Sequence, residues 1–290
     1  ISIKEPKITD QEILRKIIIY AVPFIMIDLF RSLYNSVDIM MLVRTLVNNF
    51  GYTMRDAESI MSIISTWGQK INMVIISIAT GVMTSLIPNL TSSFVRGDKK
   101  EVNERINKTY QIVFFLALPM TVGLSLIARP VWTIFYGNSA YGAITYQYLV
   151  FVAFATTIFT STVTIAQVMK EYKIVFVSLI TGMLVKIILN VPLLYAFSKM
   201  GLPAFYGSIS ATILGFIVSA IISIVFLKSK YQLNYESTIK EIINILLAII
   251  VMSLIITILK IFIPVTTTSR LLAILLTFIY SIIGATIYLV

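Results

Sequence analysis

The sequence predicts an all-α fold, a polytopic membrane helical bundle of about eight transmembrane helices. Three observations carry that expectation. Hydrophobic residues make up 58% of the chain and charged residues 12%, with a mean hydropathy of +0.93; soluble domains carry about 25% charged residues. The apolar residues fall in runs that reach the roughly 20 residues a helix needs to cross a bilayer. The connections between runs are short and collect the Lys and Arg, as topology signals do.

Taken in order, the spans are read at residues 13–43, 60–90, 112–135, 143–169, 174–197, 204–227, 239–263 and 271–290. The chain is organised around GVMTSLIPNLTSSFVRGDKKEVNERINKTY, residues 81–110. Pro88 and the cluster Thr91, Ser92, Ser93 mark where the second span leaves hydrocarbon. Arg96, Lys99, Lys100, Arg105 and Lys108 then gather at one membrane face, interleaved with Asp98, Glu101 and Glu104. This reads as a mixed-charge surface helix with a positive excess. Short loops make neighbouring spans antiparallel, and small residues such as Gly182, Gly207, Ser208, Ala211 and Gly215 allow close helix packing.

Positive residues set the orientation. With the N-terminus in the cytoplasm, that side receives Lys4, Lys7, Arg15, Lys16, the 96–108 group, Lys170, Lys173, Lys228, Lys230 and Lys240. The other side receives Arg44, Arg55, Arg129, Lys199, Lys260 and Arg270. The expectation is N-in and C-in. The chain opens on Ile1 with a polar segment and stops at Val290 inside an apolar run, and is read as a portion of a longer protein. KSKYQLNYESTIK, residues 228–240, divides it into 1–230, a six-span unit, and 231–290, a two-span appendix.

The net charge of +10 is spread over short loops, a pattern for anionic lipid headgroups rather than nucleic acid. Cysteine and histidine are both absent, which removes thiol chemistry, most zinc and haem sites and the commonest general acid/base.

An ionised side chain at mid-bilayer costs roughly 2.5–3.5 kcal/mol on insertion scales, so charges inside spans carry information. Asp28, Arg31, Asn35 and Asp38 recur at helical spacing on one face of the first span. That face lines an aqueous cavity, or else its charges pair locally within the bundle. Gln69, Lys70 and Asn72 interrupt the second span; Lys70 snorkels to headgroups or meets a phosphate from a cavity wall. Lys186 and Asn190 stand four apart on the fifth span, ahead of Pro192, which frees the carbonyl of Ile188. In GSISATILG, a small-residue packing face, Thr212 is the credible polar contributor to a site.

Several stretches carry a resemblance: AVPFIMIDLFRSLYNSVDIMML, LVRTLVNNFGYTMRDAESIMSIIS, SLIPNLTSSFVRGDKKEVNERINKTYQIVFFLALPMTVGLSLIARPVWTIFYG, ITGMLVKIILNVPLLY and GLPAFYGSISATILGF. Together they resemble the multidrug/oligosaccharidyl-lipid/polysaccharide (MOP) flippase superfamily, in the group of stage V sporulation protein B and the MurJ-like lipid II flippases. The resemblance implies the C-terminal half of a fourteen-helix flippase, with family helices seven to twelve in 1–230, helices thirteen and fourteen in 231–290, and an N-terminal lobe as partner. The polar residues inside the spans, Asp28, Arg31, Asn35, Gln69, Lys70 and Lys186, are read as lining the substrate cavity of such a protein. Gln69 takes the place of a family arginine, with Lys70 beside it. Some MurJ-like members hold sodium among helices seven, eleven and twelve, where Asp38, Asn190 and Thr212 match. The family's second acid is Leu194 here.

The implied function is transport: flipping an undecaprenyl-diphosphate-linked saccharide, lipid II or a polysaccharide repeat unit, across the bacterial cytoplasmic membrane by alternating access. No cofactor is expected beyond sodium or proton coupling, and the expected partners are a lipid-linked oligosaccharide and anionic membrane lipids. The alternatives are a cation-coupled drug exporter and a non-transporting membrane assembly protein. An enzyme on lipid-linked sugars is disfavoured, because the acids cluster only in the basic 96–108 segment.

Overall fold

The computed structural model describes residues 10–266 and 269–290; within the first helix it leaves out the side chains of residues 10, 13, 15–24, 26–28, 30, 31 and 35. All regular structure among these residues is helical. The order is α1 Asp10–Phe50, α2 Met54–Ser62, a turn of π-helix Ile63–Trp67, α3 Gly68–Val95, α4 Lys99–Leu126, α5 Ala128–Tyr136, α6 Gly142–Val168, α7 Tyr172–Lys199, α8 Tyr206–Tyr231, α9 Glu236–Phe262 and α10 Arg270–Leu289. Seven helical stretches among the described residues are long and apolar enough to cross a membrane, the first being Met54–Val95. α1, with 41 residues, is the longest single helix.

Two boundaries differ from the sequence reading. The charged segment after Gly97 is not a separate surface helix. Asp98 caps α4, its Oδ1 accepting the Glu101 N–H at 2.9 Å, and the helix runs from Lys99 straight into the apolar stretch. At 28 residues, α4 is about 42 Å long, so its charged turns stand beyond the roughly 30 Å hydrocarbon core. The span read at 112–135 breaks at Ile127 into α4 and α5. Pro130 is the cause: it lacks the N–H that would bond the Leu126 carbonyl, and its ring crowds that carbonyl, so the helix ends there.

α6 is the centre of the bundle, packing against α3, α4, α5, α7 and α8. Of its most apolar stretch 67% is buried, against 22% for α9 and for α10. The last two helices therefore turn most of their Leu and Ile side chains outward to lipid, and meet the rest of the chain chiefly through α4 and α5.

α7 and α8 approach more closely than side chains allow. A Cβ on Gly207 would lie 2.3 Å from the Leu194 nitrogen, and one on Gly182 2.4 Å from the Gly215 carbonyl oxygen. Small residues at these crossings let the two backbones touch. The connections at one end of the bundle are latched. Asn107 of α4 donates from Nδ2 to the Asn234 carbonyl, and its Oδ1 accepts from Thr238. Glu171, between α6 and α7, accepts from Lys230 Nζ and Tyr231 Oη at the end of α8, each at 2.5 Å.

Candidate functional site

The close crossing of α7 and α8 brings three polar side chains to one acid on α1. Asp38 Oδ2 accepts from Lys186 Nζ at 2.8 Å; Oδ1 accepts from Asn190 Nδ2 at 3.0 Å and from Ser208 Oγ at 2.7 Å. Lys186 also donates to the Tyr34 carbonyl at 2.5 Å, and its ammonium lies 5.3 Å from the centre of the Tyr34 ring. Lys186 is 0% exposed and Asp38 4%. A carboxylate and an ammonium held at this distance form a neutral unit, which is how an intramembrane charge is normally tolerated.

Asp38 also forms part of the wall of a cavity of about 230 Å³. Ser65 and Gln69 face it from the π turn and the start of α3, Thr156 from α6, and Thr212 and Phe216 from α8. Phe216 stacks on Tyr34 with ring centres 4.6 Å apart, closing the side next to the ion pair. The π turn places Gln69: its Nε2 donates to the Ile64 carbonyl at 3.0 Å, and its Oε1 accepts from Asn72, which is anchored in turn on the Leu149 carbonyl. Turns of π-helix recur at functional sites because one extra residue re-aims the side chains around it.

The sequence-expected residues fall in several places. Asp38 and Asn190 meet, Gln69 lines the cavity, and Asp28, Arg31 and Asn35 have side chains outside the described residues. Lys186 corrects the expectation of a cavity cation: it is sealed against Asp38, because the face it shares with Asn190 is pressed onto α1. Lys70 departs the other way. It is exposed, outside the cavity lining, with its ammonium 4.8 Å from the centre of the Trp67 ring. Thr212 lines the cavity but donates to the Ser208 carbonyl of its own helix, and the residue of α8 that reaches the acid is Ser208. Ser208 is one turn before Thr212 on the same face, the only sequence signal for it.

A second, apolar groove of about 390 Å³ runs between α3, α4, α9 and α10, past Phe115, Met120, Met252, Ile256, Tyr280 and Gly284.

A family model described as "Lipid II flippase MurJ" matches residues 65–277, from the π turn to α10. The chain belongs to the MurJ lipid II flippase family. The chain is 32% identical over 232 residues to the lipid II flippase MurJ of Bacillus subtilis (strain 168), an alignment that covers 77% of this chain and 40% of that protein. A solved structure, "Lipid II flippase MurJ, inward closed conformation", superposes with a TM-score of 0.60 at 18% identity, covering 79% of this chain and 46% of the other. This likeness establishes a shared helical fold. The chain thus spans less than half the length of the MurJ relatives it matches. The MurJ match takes in Gln69, Lys70, Lys186, Asn190, Ser208 and Thr212, and begins after Asp38.

The sodium that the MurJ resemblance implies does not fit the groups present. A sodium ion needs acceptor oxygens, yet Asp38 is ringed by donors: an ammonium, an amide NH₂ and a hydroxyl. Asn190 turns its amide nitrogen to the acid and leaves its Oδ1 without a partner. Leu194, where a second acid would stand, is fully buried in the apolar core.

Proposed function

We propose that the chain is the C-terminal part of a flippase that carries lipid II, an undecaprenyl-diphosphate-linked saccharide, to the outer leaflet of the cytoplasmic membrane. The observation that carries this reading is the family match over residues 65–277, joined to a polar cavity among membrane-spanning helices. In this reading α1–α8 form one lobe that rocks against a second, N-terminal lobe, as in alternating-access transporters; relatives of which this chain covers less than half support such a partner. Gln69 and exposed Lys70 contribute to the surface that meets the diphosphate. The apolar groove between α3, α4, α9 and α10 takes the lipid tail, and α9 and α10 are a two-helix addition to the lobe. The basic residues of the α3–α4, α6–α7 and α8–α9 connections face the cytoplasm and its anionic lipids, giving N-in and C-in. No chemical bond changes in such a reaction, so no catalytic residue is assigned.

The test is complementation. A full-length protein carrying this chain is expressed in a strain depleted of its own lipid II flippase, and growth and precursor accumulation are followed. Rescue with precursors falling to normal is expected. Insertion without rescue, together with export of cationic drugs, replaces this reading with drug transport.

A further inference from the structure

We propose that Lys186 is the resident cation of the acidic site on α1, filling the place an inorganic cation would otherwise take, and that its removal converts Asp38, Asn190 and Ser208 into a sodium site. The inference holds whatever the cargo, because it concerns charge balance within one lobe.

The charge argument comes first. Asp38 carries one negative charge in a buried position, and Lys186 places one positive charge 2.8 Å from it. A second cation on the same carboxylate would be repelled by the ammonium, with a single negative charge to offset two positive ones. No other acidic side chain lies within hydrogen-bond reach of the ammonium among the described residues.

The geometry also explains what vacating the site would expose. Lys186 Nζ is held by two oxygens, the Asp38 carboxylate and the Tyr34 carbonyl. With the ammonium gone, both point into the volume it leaves. Ser208 Oγ and the Asn190 amide are already on the acid, and Asn190 holds an unused Oδ1 that an amide flip brings round. Carboxylate, carbonyl, hydroxyl and amide oxygens are the hard donors that an alkali cation takes. Lysine also does something sodium cannot: it is covalently part of α7. The bond from Nζ to α1 ties α1 to α7 at every moment, where a dissociable ion would tie them only when bound.

The experiment uses the purified full-length protein in detergent, wild type and K186A, in sodium chloride against N-methylglucamine chloride at equal ionic strength, with ²²Na⁺ binding as a second readout. Wild type is expected to bind no sodium at this site and to show equal Tm in both salts. K186A is expected to bind one sodium per chain and to gain about 2 °C or more in Tm with sodium, and D38N/K186A to lose both. Stoichiometric ²²Na⁺ binding by wild type that D38N abolishes overturns the proposal, as does a folded K186A that acquires no sodium. Should K186A not fold, the wild-type and D38N proteins decide the matter alone.

Discussion

Asp38 of α1 and Lys186 of α7 lie 148 residues apart and meet at 2.8 Å, the lysine fully buried and the aspartate at the edge of the cavity. The stability of the bundle should depend on both together more than on either. In sodium-free buffer, K186M leaves a buried carboxylate unpaired and is expected to cost about 3–5 kcal/mol. D38L/K186M, which removes both charges, is expected to cost less than the sum of its single substitutions. A double-mutant cycle read by thermal unfolding in detergent checks this, and strictly additive values would mean that the pair is not coupled.

The α7–α8 crossing gives a graded series. S208A removes a hydroxyl from a charged acceptor and should cost about 1.5–3 kcal/mol. G207A should cost more, because its Cβ would press on the α7 backbone, which cannot move aside as a side chain can. G81A is the control. Its Cβ meets nothing within 4 Å, and the gain in helix propensity should stabilise by about 1 kcal/mol or less. An order other than G207A, S208A, G81A in falling cost would mean that the crossing is looser than described.

Glu171 links the α6–α7 connection to the end of α8. Partial burial pushes its carboxyl up, but hydrogen bonds from Lys230 and Tyr231 and the nearby Lys230 charge outweigh this and hold it below the ordinary carboxylate value. A group with a depressed folded-state value contributes stability that is complete above the ordinary carboxylate range and is lost as pH falls through the folded value. Wild type should therefore lose stability on acidification more steeply than E171Q. Parallel Tm–pH curves for the two proteins would remove Glu171 from the latch.

Lys70 offers a functional test. K70E should abolish rescue of a flippase-depleted strain while K70R retains it, with membrane levels of both variants matched by immunoblot. Full rescue by K70E would take Lys70 out of the substrate path. The contact with Trp67, at an exposed site, is worth only about 0.5–1 kcal/mol, so the loss should not come from unfolding.

The helices were largely legible because the bilayer imposes a simple rule on length and polarity. The run read at 143–169 is α6, and that read at 174–197 is α7 with a turn or less added at each end. The missed boundaries depend on finer local chemistry: a proline three residues into α5, and an aspartate that caps α4 just before its charged turns. The site was legible only in its costly members. Asp38, Lys186 and Asn190 stand out in an apolar span, but nothing in their own neighbourhoods says that the lysine on α7 faces the acid on α1. Ser208 was read as packing because it is small and neutral, and its contact exists only where two distant helices cross at Gly207. The turn Ile63–Trp67 gave no signal, since its composition is that of any apolar helix.

That turn has a mechanical consequence. Helix side chains advance by about 100° per residue, and the π turn inserts one residue without lengthening the rod to match. Deleting Ser65 would let Met54–Val95 close into uniform α-helix, its two ends left nearly in place and the side chains of the turn itself re-aimed. Gln69 would lose its bond to the Ile64 carbonyl across the turn, while Asn72 kept its anchor on Leu149. The widened turn interrupts the regular hydrogen-bond ladder of Met54–Val95, so a bending load on this helix, such as the proposed rocking of one lobe on another would apply, concentrates at Ile63–Trp67.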